Sequence, residues 1–178
     1  MKLALIGNPN CGKTSLFNTL TGSKAKVANL PGVTVDPAVA LLAGSANNIS
    51  GAIELVDLPG TYSLHPKALD EAVTRDALLN PNHPQRPDGI LLVLDSANLK
   101  RNLYLALQVM DLGFPVIVVV NETARNVWSQ KALESALDCP VLAVHALNAR
   151  GCEALKKKLH SWPTEPQGET RKRELPSW

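Results

Sequence analysis

Short, almost continuous apolar runs recur along the chain, separated by polar stretches. Runs of this kind are typical of strands in a parallel sheet, which are covered on both faces. They predict buried strands over residues 3–6, 53–56, 90–94, 116–120 and 141–144. Residues 38–43 predict one more strand, at an edge of the sheet, that pairs with residues 53–56 through a polar turn.

Stretches with helical periodicity alternate with these strands. They predict helices over residues 14–20, 69–79, 98–112, 130–137 and 152–159. In the clearest of them, residues 98–112, one face carries the apolar side chains Leu99, Leu103, Ala106, Leu107 and Met110. Alternation of strands and helices predicts an α/β fold: a doubly wound, mainly parallel six-stranded sheet flanked by about five helices, with its ligand at the carboxyl ends of the strands.

Composition places the chain among ordinary globular domains. Its 178 residues are 45% hydrophobic and 19% charged, and the net charge is only +2. No basic stripe interleaved with aromatic residues is present, so nucleic acid is not indicated as a ligand. Cys11, Cys139 and Cys152 form no C-x-x-C pair, which favours reduced thiols over a disulfide framework or a zinc site. We expect residues 1–162 to form one domain and the polar, Pro-rich residues 163–178 to be a tail or linker.

Residues 7–14 read G-N-P-N-C-G-K-T, a complete G-x-x-x-x-G-K-[ST] loop between a predicted strand and a predicted helix. Glycines let backbone N–H groups turn toward phosphate oxygens, and the start of the helix adds its positive dipole end. The sequence therefore predicts nucleotide binding by this loop and the residue after it: Gly7, Asn8, Pro9, Asn10, Cys11, Gly12, Lys13, Thr14 and Ser15. We expect Lys13 to reach the β- and γ-phosphates and the Thr14 hydroxyl to bind Mg²⁺.

A D-x-x-G segment, Asp57 to Gly60, follows the predicted strand 53–56. A carboxylate at this point can hold Mg²⁺ through water opposite Thr14, and the Gly60 N–H can contact a γ-phosphate. Thr34 lies in a loop between the first helix and the next strand. Its hydroxyl is a third candidate Mg²⁺ ligand, one that binds only while the γ-phosphate is present.

Four segments together make the chain resemble the cytosolic GTPase domain of the ferrous-iron transport protein B (FeoB) family. They are G-N-P-N-C-G-K-T-S-L-F-N at 7–18, N-L-P-G-V-T-V at 29–35, D-L-P-G-T-Y-S-L at 57–64 and D-E-A-V-T-R-D at 70–76. The resemblance covers residues 1 to about 160. It implies GTP or GDP and Mg²⁺ as cofactors, and a GTP-driven or GTP-gated switch for Fe²⁺ uptake. It further implies a membrane permease portion of the same full-length protein as partner, at the cytoplasmic face of the bacterial inner membrane, and leaves open an oligomer formed through that portion.

The resemblance also assigns catalytic roles. Asn10 matches an asparagine that holds K⁺ beside the phosphates in related GTPases, where the ion stabilises charge developing on the transferring phosphoryl group; the alternative is a turn residue with left-handed backbone angles. Thr61 stands where many GTPases have a water-positioning glutamine, so we expect slow hydrolysis. The candidate catalytic set is Lys13, Asn10, Thr34 and Gly60.

The base-binding segments depart from the family pattern. An N-x-x-D motif should follow residues 116–120, but the sequence has Asn121 and then Ala124 at the position of the guanine-pairing aspartate. Either the chain lacks this carboxylate or residues are absent from the sequence between Asn121 and Val127. Glu122 is a nearby carboxylate at the wrong backbone position. In the second base segment, His145 either caps the strand end or contacts the base beside Ala146.

Other functions fit part of the sequence. A GTPase of RNA modification or ribosome assembly shares the N-P-N-x-G-K loop, but we see no RNA-binding module. A P-loop phosphotransferase would need a second substrate site and a basic lid. The missing aspartate favours one more alternative, an NTPase that does not distinguish the bases.

Overall fold

The computed structural model describes residues 1–24, 37–44, 52–65, 69–124 and 127–162. Within this part of the chain six strands form one sheet: β1 (Lys2–Gly7), β2 (Ala38–Leu41), β3 (Glu54–Asp57), β4 (Gly89–Asp95), β5 (Val116–Asn121) and β6 (Val141–Val144). The helices are α1 (Lys13–Thr21), α2 (Leu69–Leu79), α3 (Leu99–Met110), α4 (Gln130–Leu137) and α5 (Cys152–His160). Thr34 and the predicted tail 163–178 lie outside the described residues.

The strand order is β2-β3-β1-β4-β5-β6, and every neighbouring pair is parallel except β2 with β3. β2 therefore forms the antiparallel edge that the sequence predicts, with Val39 opposite Val56. The doubly wound, mainly parallel α/β fold is confirmed.

Two apolar cores cover the two faces of the sheet. Side chains of α1 and α5, among them Phe17 and Leu155, pack on one face, and those of α2, α3 and α4 pack on the other. All residues of β4 and β5 are buried, which explains their uninterrupted apolar sequences. Trp162, the last residue described before the predicted tail, belongs to the first core.

The predicted helix 98–112 differs in detail. It begins with a 3₁₀ turn, Ser96–Asn98, and α3 proper ends at Met110. The buried face of α3 also differs from the predicted face. It includes Asn102, whose Oδ1 accepts a hydrogen bond from Asp95 N at 2.6 Å. Because this buried face includes a polar residue, the pattern of hydrophobic residues alone does not locate it.

Candidate nucleotide-binding site

The strands of the parallel sheet deliver their carboxyl ends to one edge, where the loop Asn8–Gly12 connects β1 to α1. Gly12 has a φ of 90°, and a Cβ there would collide with the side chain of Asn121. Asn10 has a φ of 64°, as expected of the turn interpretation. The N-cap residue of α1 is Gly12, which has no side chain to bond the first backbone N–H groups of the helix, so it leaves them to an anion.

Lys13, Thr14 and Asp57 form a hydrogen-bonded group at the start of this helix. Lys13 Nζ lies 2.8 Å from Asp57 Oδ1, and Thr14 Oγ1 donates to Asp57 Oδ2 at 2.7 Å. Lys13 and Asp57 are each only 8% exposed. The predicted phosphate-binding lysine and the two predicted magnesium ligands that lie in the described residues are therefore brought together, 43 or 44 residues apart in sequence.

The segment after Asp57 lies directly on the phosphate loop. Thr61 N donates to the carbonyl of Gly7 at 3.2 Å. A Cβ on Gly60 would lie 3.0 Å from both the N and the Cα of Pro9. Contacts this close leave little room for a side chain at position 60, so the structure gives a physical reason for the last residue of D-x-x-G.

Cys11 and Asn8 are the buried members of the loop, with 1% and 4% exposure. Burial raises the pKa of the Cys11 thiol to about 11 despite the nearby Lys13 ammonium, so the thiol is neutral and unreactive at neutral pH. Ser15 lies one residue after Thr14 in the first turn of α1, where its carbonyl accepts a hydrogen bond from Thr19 at 3.0 Å.

Three side chains that the sequence did not indicate hold the segment 58–65. Thr74 of α2 donates to the Pro59 carbonyl at 2.7 Å, and Gln108 of α3 accepts from Leu64 N at 2.7 Å. The Arg101 guanidinium lies 4.2 Å from the centre of the Tyr62 ring. Thr74 belongs to the quoted D-E-A-V-T-R-D segment, whereas nothing local in the sequence distinguishes Arg101 or Gln108.

Asn121 joins the phosphate loop to the end of β6. Its Nδ2 donates to the Cys11 carbonyl at 3.0 Å, and its Oδ1 accepts from Ala146 N at 3.0 Å. The Ala146 carbonyl in turn accepts from Thr19 Oγ1 at 2.8 Å. The predicted base-binding residues Asn121 and Ala146 thus meet at the correct edge of the sheet, both buried.

A polar cluster surrounds the position that lacks the aspartate. Ala124 N lies 3.3 Å from Ser96 Oγ, and Thr123 Oγ1 donates to the carboxylate of Asp95. Burial pushes the pKa of Asp95 upward, but hydrogen bonds from Thr123, Asn98 and the Ala97 N–H outweigh it and hold the pKa below its ordinary value. This carboxylate is ionised at neutral pH and fastens the loop after β5 to the start of α3.

Glu122 is paired with another side chain, and the backbone of His145 is bonded to the loop after β6. The Glu122 carboxylate forms an ion pair with Arg150, which lies on the loop after β6. His145 N donates to the Arg150 carbonyl at 2.9 Å, and the backbones of the two residues form an isolated bridge. The Nδ1 atom of His145 is buried without a hydrogen-bond partner among the described residues, so its contact with the base stays a prediction.

The family model described as "Ferrous iron transport protein B" matches residues 1–159. The chain belongs to the ferrous iron transport protein B (FeoB) family. The match excludes the alternative of a GTPase of RNA modification or ribosome assembly. Together with the fold and the phosphate loop, it identifies the chain as the GTPase domain of this family.

The Fe(2+) transporter FeoB of Escherichia coli strain K12 is 41% identical over 165 residues, which are 88% of this chain and 20% of that protein. The chain spans about a fifth of the length of such curated relatives. Among solved structures, the G domain of the T. maritima FeoB iron transporter is 38% identical with a TM-score of 0.73, covering 91% of this chain and 99% of that one. NFeoB from S. thermophilus bound to GDP·AlF₄⁻ and K⁺ is 40% identical with a TM-score of 0.81, covering 96% and 65%. Over the described residues, no helix combines the length and apolar character needed to cross a bilayer.

Proposed function

We propose that this chain binds GTP, hydrolyses it slowly, and couples its nucleotide state to Fe²⁺ uptake by the full-length protein. The observation that carries the proposal is the grouping of Lys13, Thr14 and Asp57 at the start of α1. The Lys13 ammonium, the Thr14 hydroxyl and the Asp57 carboxylate are the groups that a P-loop GTPase needs to bind the β- and γ-phosphates and their metal ion. The relatives named as Fe(2+) transporters support the coupling.

Mg²⁺ fits the residues present. Thr14 Oγ1 and the Asp57 carboxylate are hard oxygen donors 2.7 Å apart, and Mg²⁺ prefers such donors with several waters retained. We propose Thr14, Asp57 and Thr34 as the residues that hold it, directly or through water. When bound, the ion neutralises charge on the phosphoryl oxygens. Lys13 then exchanges its carboxylate partner for phosphate oxygens, which keeps the buried ammonium paired.

The remaining residues position the phosphates. The backbone of residues 8–13 surrounds the anion, and Gly60 turns its N–H toward the γ-phosphate. Asn10 is proposed to hold K⁺, an ion named in the S. thermophilus structure with GDP·AlF₄⁻. Asn121, His145 and Ala146 are proposed to border the base. We place the chain at the cytoplasmic face of the membrane, with the permease portion of the same protein as its partner.

A second candidate function is a base-promiscuous NTPase. It is favoured by one observation: Ala124 supplies only backbone groups at the point where a guanine-pairing carboxylate is needed, and those groups bond to Ser96. Glu122 does not offer a free carboxylate instead, because it is paired with Arg150. Both candidates share the phosphate chemistry and differ only in the discrimination of the base.

Coupling is tested in the full-length protein by uptake of radioactive Fe²⁺ into cells without another ferrous-iron importer. Asp57→Asn keeps the side-chain shape but removes the charge, so uptake should fall to the background of cells without the protein. Asp111→Asn, an exposed aspartate at the end of α3, is the matched control and should keep parental uptake. Equal uptake by parent and Asp57→Asn at equal protein levels would contradict the coupling.

A further inference from the structure

Asn8 is a buried residue whose carboxamide has no hydrogen bond to the described residues. The residue is 4% exposed, and neither Nδ2 nor Oδ1 has a partner within the part of the chain that the structure describes. Asn102 provides a contrast, because it is 2% exposed and its Oδ1 accepts a hydrogen bond from Asp95 N at 2.6 Å. Buried amide groups in folded proteins are almost always paired, so an orphaned one has its partner in an ordered water, a bound group or another conformation.

The position of Asn8 shows which part of the molecule could supply that partner. Asn8 lies between Gly7, whose carbonyl accepts from Thr61 N, and Pro9, whose backbone is in contact with Gly60. A Cβ on Gly60 would lie 3.4 Å from the carbonyl carbon of Asn8 itself. The backbone of Gly60–Thr61 therefore packs against the backbone of residues 7–9, and it is the segment that must turn toward the γ-phosphate if the proposed function is right.

An unsatisfied buried amide destabilises only the conformation in which it is unsatisfied. In the arrangement described here, the Thr61 N–H is bonded to the Gly7 carbonyl and the Asn8 carboxamide is left without a partner. If Gly60 turns toward a γ-phosphate, the backbone groups beside it can change partners. The Asn8 carboxamide belongs to the residue whose backbone adjoins Gly60, and it can both donate and accept.

We propose that Asn8 is a positioning residue that favours the GTP-bound arrangement of Gly60–Thr61. It destabilises the arrangement described here and hydrogen-bonds the segment once that segment contacts the γ-phosphate. This gives Asn8 a role apart from the backbone cradle of the phosphate loop. The proposal rests on the GTP switch proposed above.

The test compares Asn8→Leu with the parent domain by two measurements. Leucine keeps the branched arrangement of four side-chain heavy atoms and removes the unsatisfied groups, so the Tm of the nucleotide-free protein should rise by about 2–4 °C. The affinity for a non-hydrolysable GTP analogue relative to GDP, measured by calorimetry, should fall about 3- to 10-fold, the equivalent of one lost hydrogen bond. Asn102→Leu is the matched control: the Tm of this variant should fall, and its affinity for the GTP analogue relative to GDP should equal that of the parent.

The affinity ratio decides the proposal. A ratio for Asn8→Leu within about twofold of the parent's overturns it whatever the Tm, because a purely structural residue affects both nucleotide complexes alike. If the leucine variant does not fold, Asn8→Ala and Asn8→Ser replace it: serine should retain part of the ratio that alanine loses, and equal ratios overturn the proposal. A parent domain that binds neither nucleotide would instead refute the proposed function.

Discussion

Asp95 is the residue on which the loop after β5 depends. Its carboxylate accepts hydrogen bonds from Thr123, from Asn98 Nδ2 at 2.7 Å and from Ala97 N at 3.0 Å. These contacts tie the end of β4 to the segment that begins at Asn121, and Asn121 in turn holds the phosphate loop. A single ionised side chain thereby links the predicted base site to the frame of the sheet.

Removing the Thr123 hydroxyl tests this link. Because the folded-state pKa of Asp95 is depressed, its hydrogen bonds contribute stability above its unfolded-state pKa, and this contribution is lost as the pH falls through the folded-state pKa. Thr123→Val should raise the Asp95 pKa, measured by NMR, and lower the free energy of unfolding at pH 7 by about 1–2 kcal/mol. The difference from the parent should shrink as the pH is lowered toward about 3. Thr123→Ser keeps the hydroxyl and should behave like the parent; a pH-independent loss in Thr123→Val would contradict the link.

Helices α2 and α3 anchor the segment that follows Asp57. Thr74 of α2 and Gln108 of α3 each form a hydrogen bond with the backbone of this segment. Gln108 holds Leu64 N, whereas Arg101 covers Tyr62. A segment of this kind, pinned by a few polar contacts and one cation–π contact, can be released without unfolding of the core. The contacts with α2 and α3 therefore allow this segment two arrangements, one held against the helices and one released from them.

Gln108→Ala should release the segment locally. We expect faster amide hydrogen exchange over residues 61–65, by about 3- to 10-fold, with little change in exchange of β4 and β5. Lys100→Ala, an exposed substitution on the same helix, serves as the control. A GTP analogue should slow exchange in this segment relative to GDP. Unaltered exchange at Leu64 in Gln108→Ala would show that the contact does not hold the segment.

The elements that could be predicted are those with a local signal. β4 and β5 are buried throughout, so their apolar runs predicted them, and the bounds of α2 and α4 agree with the periodicity. The predicted start of α3 differs from the structure by one residue, because the Asp95 side chain caps a 3₁₀ turn that hydrophobicity does not report. The contiguous phosphate loop was predictable for a similar reason: its chemistry lies within eight residues, 7–14.

Contacts between distant segments could not be predicted. Asn121 meets Cys11 only because β1, β4 and β5 are neighbours in the sheet, and the pairing of Glu122 with Arg150 depends on the parallel pairing of β5 with β6. The orphaned amide of Asn8 also has no sequence signal, since burial and partners are properties of the folded chain. Thr34 falls outside the described residues, so its role stays a prediction.

The sheet as a whole brings the ends of its strands to one edge, with phosphate chemistry at β1 and β3 and the proposed base site at β5 and β6. The two halves contribute differently to binding. Phosphates and Mg²⁺ supply most of the affinity, whereas discrimination between bases requires a carboxylate paired with guanine hydrogens. The sequence therefore combines a contiguous phosphate-binding loop with a predicted base site that has Ala124 at the position of the guanine-pairing aspartate.

Weak discrimination between GTP and ATP is the expected consequence. Loss of a matched polar contact with a buried base lowers selectivity by about 2–4 kcal/mol, so we expect a small GTP preference and rapid release of GDP. Calorimetry with both nucleotides measures it, and Ala124→Asp should increase the preference. A preference for GTP of about a thousandfold or more in the parent would mean that the sequence lacks residues between Asn121 and Val127.

The central claim is that this domain hydrolyses GTP at the loop carrying Lys13. Single-turnover hydrolysis with Mg²⁺, in K⁺ and in Na⁺, tests it most directly on the parent, Lys13→Ala and Asn10→Ala. We expect slow hydrolysis by the parent that is faster in K⁺, no hydrolysis by Lys13→Ala, and an equal low rate in both salts for Asn10→Ala. Equal hydrolysis by the parent and Lys13→Ala, or none by the parent, would contradict it.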